Sequence, residues 1–367
     1  MRNIIGNKNI AAVHGATHKY IRGSLLSLIG PPVDGLMRSF LHNWDGKTID
    51  IQDKTNEMAL LVSYKQMLEI EPALLYEAFK PEFDKLVIGT LAMPINLPGT
   101  NYYFGFQGRK NVLKMLRKVI AERRASSATH NDMLGDLLSK EDPKHSLLSD
   151  EEILDQIITI LYSGYETVSK TAMMSIKYLH DNPKALQQLR EEHLAIRKGK
   201  NPEDPIGWTE YKSMTFTRAC FLSPLYQFLS TLATIVNGVL RETTNDIEVN
   251  AILISCIYAP HQDVIPKGWR IYVYTRETNY DPLQYPEPFT FNPWRWLDKS
   301  LESQNYCFLF GAGNRVCPGK ELGIVKISMF LHHLVTRYRW EEVGDAEIAK
   351  FPRVEAPKGL HIKITKY

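Results

Sequence analysis

The chain has 367 residues, 44% hydrophobic and 23% charged, which supplies apolar content for one large core or two smaller ones and excludes a mainly disordered chain. Its 44 basic and 41 acidic residues are interspersed and leave a net charge of +3, so neither a nucleic-acid footprint nor an acidic tail stands out, and small molecules are the expected partners. Four cysteines (Cys220, Cys256, Cys307, Cys317) form no C-x-x-C pair, which argues against a disulfide framework or structural zinc and for a reducing compartment.

In chain order, MRNIIGNKNIAAVHGATHKYIRG has no long apolar stretch after its early positive charge, and it reads as neither a signal peptide nor a membrane anchor. The first half is predicted to be helical, interrupted at Gly30–Pro31–Pro32 and at a loop around Pro94, Pro98 and Gly99. The clearest helix begins at Ser149, where S-D-E-E forms a capping box ahead of Ile153, Leu154, Ile157, Ile158 and Leu161. It continues to Asp181–Asn182–Pro183, roughly 30 residues or about 45 Å, enough to cross a domain. In its middle, SGYETVS (Ser163 to Ser169) puts a glycine, an acid and β-branched residues where helix propensity alone would not. The uncharged run between Arg218 and Arg241 has membrane length, but Pro224, Gln227 and Asn237 favour buried core. Gly268 to Glu277 and the terminal HIKITKY alternate like strands, DPLQYPEPFTFNPWRW between them meanders, and Lys320 to Val335 returns to helical spacing. The expected fold is mainly α with small β-sheets (α+β), and neither an internal repeat nor a Gly/Ser linker divides it.

FLFGAGNRVCPGKELG (Phe308 to Gly323) sets one cysteine between a glycine-rich loop and the start of a helix. A thiolate that ligates iron needs its charge stabilised, and a helix N-terminus supplies unpaired N–H groups and a positive dipole end. Pro318 suits the first helical position. Glycines at 311, 313 and 319 allow close backbone approach to a flat macrocycle and aim N–H groups at the sulfur, while Arg315 suits an anionic carboxylate. Cys220, Cys256 and Cys307 are assigned to packing, and His332 and His333 to partly solvated structural roles.

The spacing Phe310, Gly313, Arg315, Cys317, Gly319 resembles the haem-thiolate loop of the cytochrome P450 family. By that resemblance Cys317 is the axial ligand of haem b, and its thiolate favours O–O cleavage. SGYET resembles the oxygen-activation motif of the long distal helix: Gly164 permits local widening, and Thr167 with Glu166 relays protons. FNPWRW (Phe291, Pro293, Arg295, Trp296) resembles the family's meander. HGATHKYIRG resembles the helix whose basic side chains hold the haem propionates; His18 and Arg22 share a face there, and a solvated basic patch is the competing reading. Arg241 is a further candidate for a propionate. Longer stretches, among them AAVHGATHKY, MPINLPGTNYY, ITILYSGYETVS, ATIVNGVLR and IPKGWRIYVYTRE, are similar to the plant brassinosteroid C-6 oxidases. The resemblance implies successive oxidation of a steroid at C-6 to an alcohol and a ketone, with electrons from NADPH through a flavoprotein reductase, at the cytosolic face of the endoplasmic reticulum membrane. Substrate contacts are expected near Ala11–Gly15, Ile160–Thr167 and Ile235–Val239.

Against that pattern, residues 1–367 read as one P450 domain lacking the N-terminal anchor and first strands, which would leave sheet edges unpaired and allow a cytoplasmic location. The chain also looks shortened near Gly30–Pro31–Pro32–Val33. No Glu is followed three residues later by Arg, although the family places E-x-x-R upstream of the meander; CFLSPLYQFLST (Cys220 to Thr231) stands there instead, with Pro224 ill suited to a helix interior. AILISCIYAPHQDV (Ala251 to Val264) interrupts a short hairpin, and both segments read as retained intron or a misjoined gene model. Arg295 is then expected to be orphaned, at about 3–5 kcal/mol for a buried charge stripped of partners, with poor haem retention as the result. A product without turnover and an oxidase of another sterol or terpenoid remain the alternatives.

Overall fold

In the computed structural model the described residues are 2–26, 33–69, 72–126, 128, 130, 132–139, 148–201, 203–229, 238–249, 263–274, 278, 280–298, 300–304, 307–349 and 353–367. Helices dominate: α1 (Arg2–Ile5), α2 (Gly15–Leu26), α3 (Val33–Leu41), α4 (Ile51–Leu68), α5 (Pro72–Thr90), α6 (Asn101–Ala125) and α7 (Met133–Ser139) fill the first part. They are followed by α8 (Asp150–Asp181), α9 (Pro183–Arg197), α10 (Trp208–Ser213), α11 (Thr215–Leu229), the short α12 (Ser300–Ser303) and α13 (Lys320–Arg337). Among the described residues seven strands form three small antiparallel sheets. β1 (Thr48–Asp50), β7 (His361–Lys366) and β6 (Tyr338–Glu342) make one, in that order; β2 (Gly238–Glu242) pairs with β5 (Arg270–Tyr274), and β3 (Ile247–Val249) with β4 (Asp263–Ile265). The expected α+β class stands.

The capping box forms as the sequence requires. The Ser149 amide donates to Glu152 Oε2 at 2.9 Å, the Glu152 amide donates back to Ser149 Oγ, and α8 then runs for 32 residues. Its hydroxyl residues do not strand polar atoms in the interior: Ser169, Thr171 and Ser175 each donate to the carbonyl four residues back. α8 contributes to both apolar cores. Ile153, Ile157 and Leu161 join α4, α5 and α6 on one side, and Ala172, Ile176 and Leu179 join α3, α9, α11 and α13 on the other. The α5–α6 pair packs through glycines, because a Cβ on Gly89 would lie 2.6 Å from Gly105 Cα.

Two expectations change in the fold. α11 continues through Pro224, so that proline is accommodated inside a helix after all. Ala219 to Ser223 are buried, which agrees with core over the start of the uncharged run; residues 230–237 lie outside the described set, and no helix among the described residues is long and apolar enough to cross a membrane. The strand expected over Gly268 to Glu277 is confined to Arg270–Tyr274, with Gly268 in a turn and 275–277 outside the described residues. Most of Ala251 to Val264, including Cys256, also lies outside them; Asp263 and Val264 belong to β4.

Behind α13 the structure buries histidines that were expected to be partly solvated. His332 and His333 are 2% and 4% exposed and His193 of α9 is fully buried. His332 Nδ1 lies 3.0 Å from His193 Nδ1, and His333 Nε2 lies 2.7 Å from Asp34 Oδ1. Burial, helped by neighbouring histidines, pushes His193 down to about 3 and His332 far below its ordinary value. Both are therefore neutral when folded and take up protons only on unfolding. Stability is fully present above the unfolded pKa of about 6.5 and falls below it, by on the order of 2 kcal/mol for each imidazole between pH 7 and pH 5. Urea midpoints recorded across that range should drop accordingly; a flat midpoint would contradict neutral, buried imidazoles.

Candidate active site

The cysteine loop is a closed turn held by its own backbone. The Cys317 amide donates to Phe310 O at 2.8 Å, Gly311 N–H to Phe308 O at 3.0 Å and Val316 N–H to Gly313 O at 3.0 Å. Gly311 and Gly313 sit at φ +73° and +65°, where a side chain is strained, whereas Gly319 is at φ −89°. The Phe310 ring lies parallel to Phe221, centroids 6.4 Å apart, and under Lys320 Nζ at 5.1 Å. The helix start is displaced from expectation: Gly319 is the N-cap of α13 and Lys320 its first residue, so Pro318 precedes the helix.

This displacement aims the amides of Gly319 and Lys320 at the Cys317 sulfur. Cys317 is exposed to solvent, although protein atoms crowd around its sulfur. Burial pushes its pKa up, against the opposing pull of the Gly319 amide, the Arg22 charge, and the Lys320 amide and charge. It is thus a thiol whose anion has donors ready and whose neutral form is favoured until a cation binds.

Basic side chains crowd one side of the loop. Arg22 Nη1 donates to Val316 O at 2.6 Å, fastening α2 to the residue before the cysteine. Arg315 donates to Ile10 O at 3.1 Å and Val13 O at 2.7 Å, and its Nη2 lies 2.6 Å from His14 Nδ1. Burial together with Arg315, Arg22 and His14 lowers the pKa of His18. Among the described residues no carboxylate makes an ion pair with His14, His18, Arg22 or Arg315. Two guanidiniums without an acid, with two imidazoles beside them, suit an anionic ligand better than a solvated face, and the haem propionates fit that requirement.

α8 packs beside the helix that starts at the cysteine. Ser163 is exposed and Gly164, Glu166 and Thr167 are partly exposed in the centre of an otherwise buried helix. Gly323 of α13 faces Val168, where a Cβ at 323 would lie 3.7 Å from Val168 Cγ2, so the helix that starts beside Cys317 crosses α8 one residue past Thr167. The expected widening at Gly164 does not form. The helix is unbroken α, and Thr167 Oγ1 donates to Ser163 O at 2.9 Å. Glu166 Oε1 lies 3.3 Å from Arg353 Nη1, a partner no spacing in the sequence announced. Behind Gly164, Ser63 accepts from Lys326 Nζ at 3.0 Å, and burial drives that ammonium down to about 7.

The orphaned meander arginine is a correction. Arg295 Nη2 donates to the carbonyls of Pro286 at 2.6 Å and Glu287 at 2.8 Å, so a turn of the meander itself serves it. Nor is the rear of the loop without ionic support. Arg218 of α11 grips Glu302 through Nε at 3.1 Å and Nη2 at 2.8 Å and reaches Glu321 at 3.4 Å, while Lys320 Nζ meets Glu302 at 2.7 Å. Burial lowers the Arg218 pKa, but bonds to the two glutamates outweigh it and raise it well above its usual range. These groups are up to 103 residues apart, which is why sequence reading missed them. Cys220 is buried and Cys307 half-buried, both as packing residues. Arg241 lies on β2 opposite Ile271; residues 235–237 of the expected substrate contacts are outside the described set.

An α-rich chain with a cysteine at the mouth of a helix, cations to one side and a polar-centred long helix across from it has the organisation of a haem-thiolate oxygenase. The Cytochrome P450 family profile matches residues 47–363, and the chain belongs to that family, an oxidoreductase class of haem monooxygenases supplied with electrons by a reductase. It is 57% identical to Cytochrome P450 85A1 of Solanum lycopersicum over all of this chain and 77% of the relative, and 54% identical to Cytochrome P450 85A2 of Arabidopsis thaliana over the same shares. The structure of retinoic acid bound cyanobacterial CYP120A1 superposes with a TM-score of 0.82 at 23% identity, covering 99% of this chain and 82% of that one, which establishes the common fold.

The loop geometry separates its glycines experimentally. Gly313→Ala should cost about 1–2 kcal/mol because an L-residue is forced to positive φ. Gly319→Ala, at negative φ and with the sulfur 3.9 Å from the new Cβ, should cost clearly less. Denaturant midpoints of the two variants compare them directly.

Proposed function

We propose that this chain oxidises a brassinosteroid at C-6, in two successive steps, with haem b ligated by Cys317. Haem supplies the activation of dioxygen when bound. The protein's own residues do the rest: Cys317 contributes the thiolate, and the Gly319 and Lys320 amides moderate its charge. His18, Arg22 and Arg315 take the propionates, Phe310 and Gly313 shape the loop, and Gly164, Glu166 and Thr167 form the polar strip at which protons reach the reacting oxygen. Each step consumes one dioxygen, two electrons and two protons. The first converts C–H to C–OH with one water released, and the second converts the alcohol to the ketone with two. NADPH is the electron source through a flavoprotein reductase, at the cytosolic face of the endoplasmic reticulum.

The observation that carries this reading is the exposed sulfur with two amides aimed at it, beside four basic side chains that no acid neutralises among the described residues. Arg295 served by two carbonyls and Arg218 anchoring the rear of the loop both weigh against poor haem retention. The chain is expressed with a haem precursor, and the reduced carbon monoxide difference spectrum is recorded. The expected result is a thiolate-type band in the parent and its complete loss in Cys317→Ser. Supplied with a 6-deoxo steroid, reductase and NADPH, the parent should yield the 6-oxo product. Turnover only elsewhere on the ring would assign the site to another sterol.

A further inference from the structure

The geometry points to Arg353 as a positioning residue that holds the Glu166 carboxylate in the polar centre of α8. This inference rests on the role given to Glu166 above and adds a partner that comes from the far end of the chain, 187 residues away. Glu166 and Arg353 are 13% and 16% exposed, so their 3.3 Å contact is sheltered from the solvent that makes most surface pairs nearly neutral. Arg353 also reaches Glu355 through Nε at 3.6 Å, but that acid is 42% exposed and longer in contact, so the inner carboxylate is the stronger partner.

The local competitor for Glu166 is Lys170, one turn along the same helix. Lys170 is 5% exposed and spends its ammonium on Asn56 Oδ1 at 3.3 Å, and it makes no ion pair with Glu166. Arg353 therefore decides where the carboxylate lies. It occupies Oε1 and leaves Oε2, which accepts no hydrogen bond among the described residues, in the polar centre of α8. Thr167 has already committed its hydroxyl proton to Ser163 O. A proton moving along this strip thus has Glu166 Oε2 as its open acceptor, and a carboxylate released from Arg353 would rotate away from that position.

Arg353→Gln, Glu166→Gln and the double variant, melted as isolated, test the contact. The double variant should melt within about 1 °C of the less stable single variant, because one interaction is lost in each case. Additive losses would overturn the inference. In turnover, product formed per NADPH consumed should fall roughly tenfold or more in Arg353→Gln while the steroid dissociation constant, read from the steroid-induced spectral shift, stays within about twofold. Arg353→Lys should restore most of the loss. Unchanged coupling in Arg353→Gln, or a parallel collapse of steroid affinity and coupling, would refute a positioning role. A parent chain that binds haem but forms no oxidised steroid would sink the proposed function instead, and the melting cycle would then decide this inference alone.

Discussion

The proposed site depends on how one cysteine sulfur is presented at the start of a buried helix. The chain leaves the Phe310–Val316 turn, places Cys317 one residue before the Pro318–Gly319 entry, and turns the first amides of α13 toward the sulfur. Burial keeps the thiol protonated, while the amides and the Arg22 charge offset part of that cost for the anion.

The surrounding charges fall into two groups with different jobs. On one side, Arg22, Arg315, His14 and His18 accumulate without acids, a repulsive arrangement that an anionic ligand relieves. On the other, Arg218, Glu302, Lys320 and Glu321 are closely compensated and tie α11 and α12 to the first turn of α13. Uncompensated cations mark recognition, and compensated ones mark support. The Glu166–Arg353 contact belongs to a third kind, in which a pair holds a functional carboxylate in one orientation.

Long-range order in the core keeps these groups in register. α8 touches both apolar clusters, so the position of its polar centre is set by packing at both ends rather than by the residues of the centre itself. α13 is buried along nearly its whole length, and its rear face carries neutral histidines in place of a purely apolar surface. That choice binds α3 and α9 to the ligand-bearing helix by directed contacts, at the cost of sensitivity to acid.

The local features were legible from residue order because each is decided within a few positions. The Ser149 capping box, the helix from Asp150 to Asp181, the terminal strand and the cysteine turn all rest on neighbours in the chain, and the composition already indicated an α-rich fold with small sheets. His18, Arg22 and Arg315 could be proposed as one group from their charge and from a family pattern. Tertiary structure alone decided which partner each charge meets. Arg295, expected to be orphaned, found carbonyls, Arg218 found Glu302 and Glu321, Glu166 found Arg353, and His332 and His333 sank into the core. The physical reason is that these contacts join segments up to hundreds of residues apart, where Coulomb attraction and desolvation depend on distances that only the packing of helices establishes.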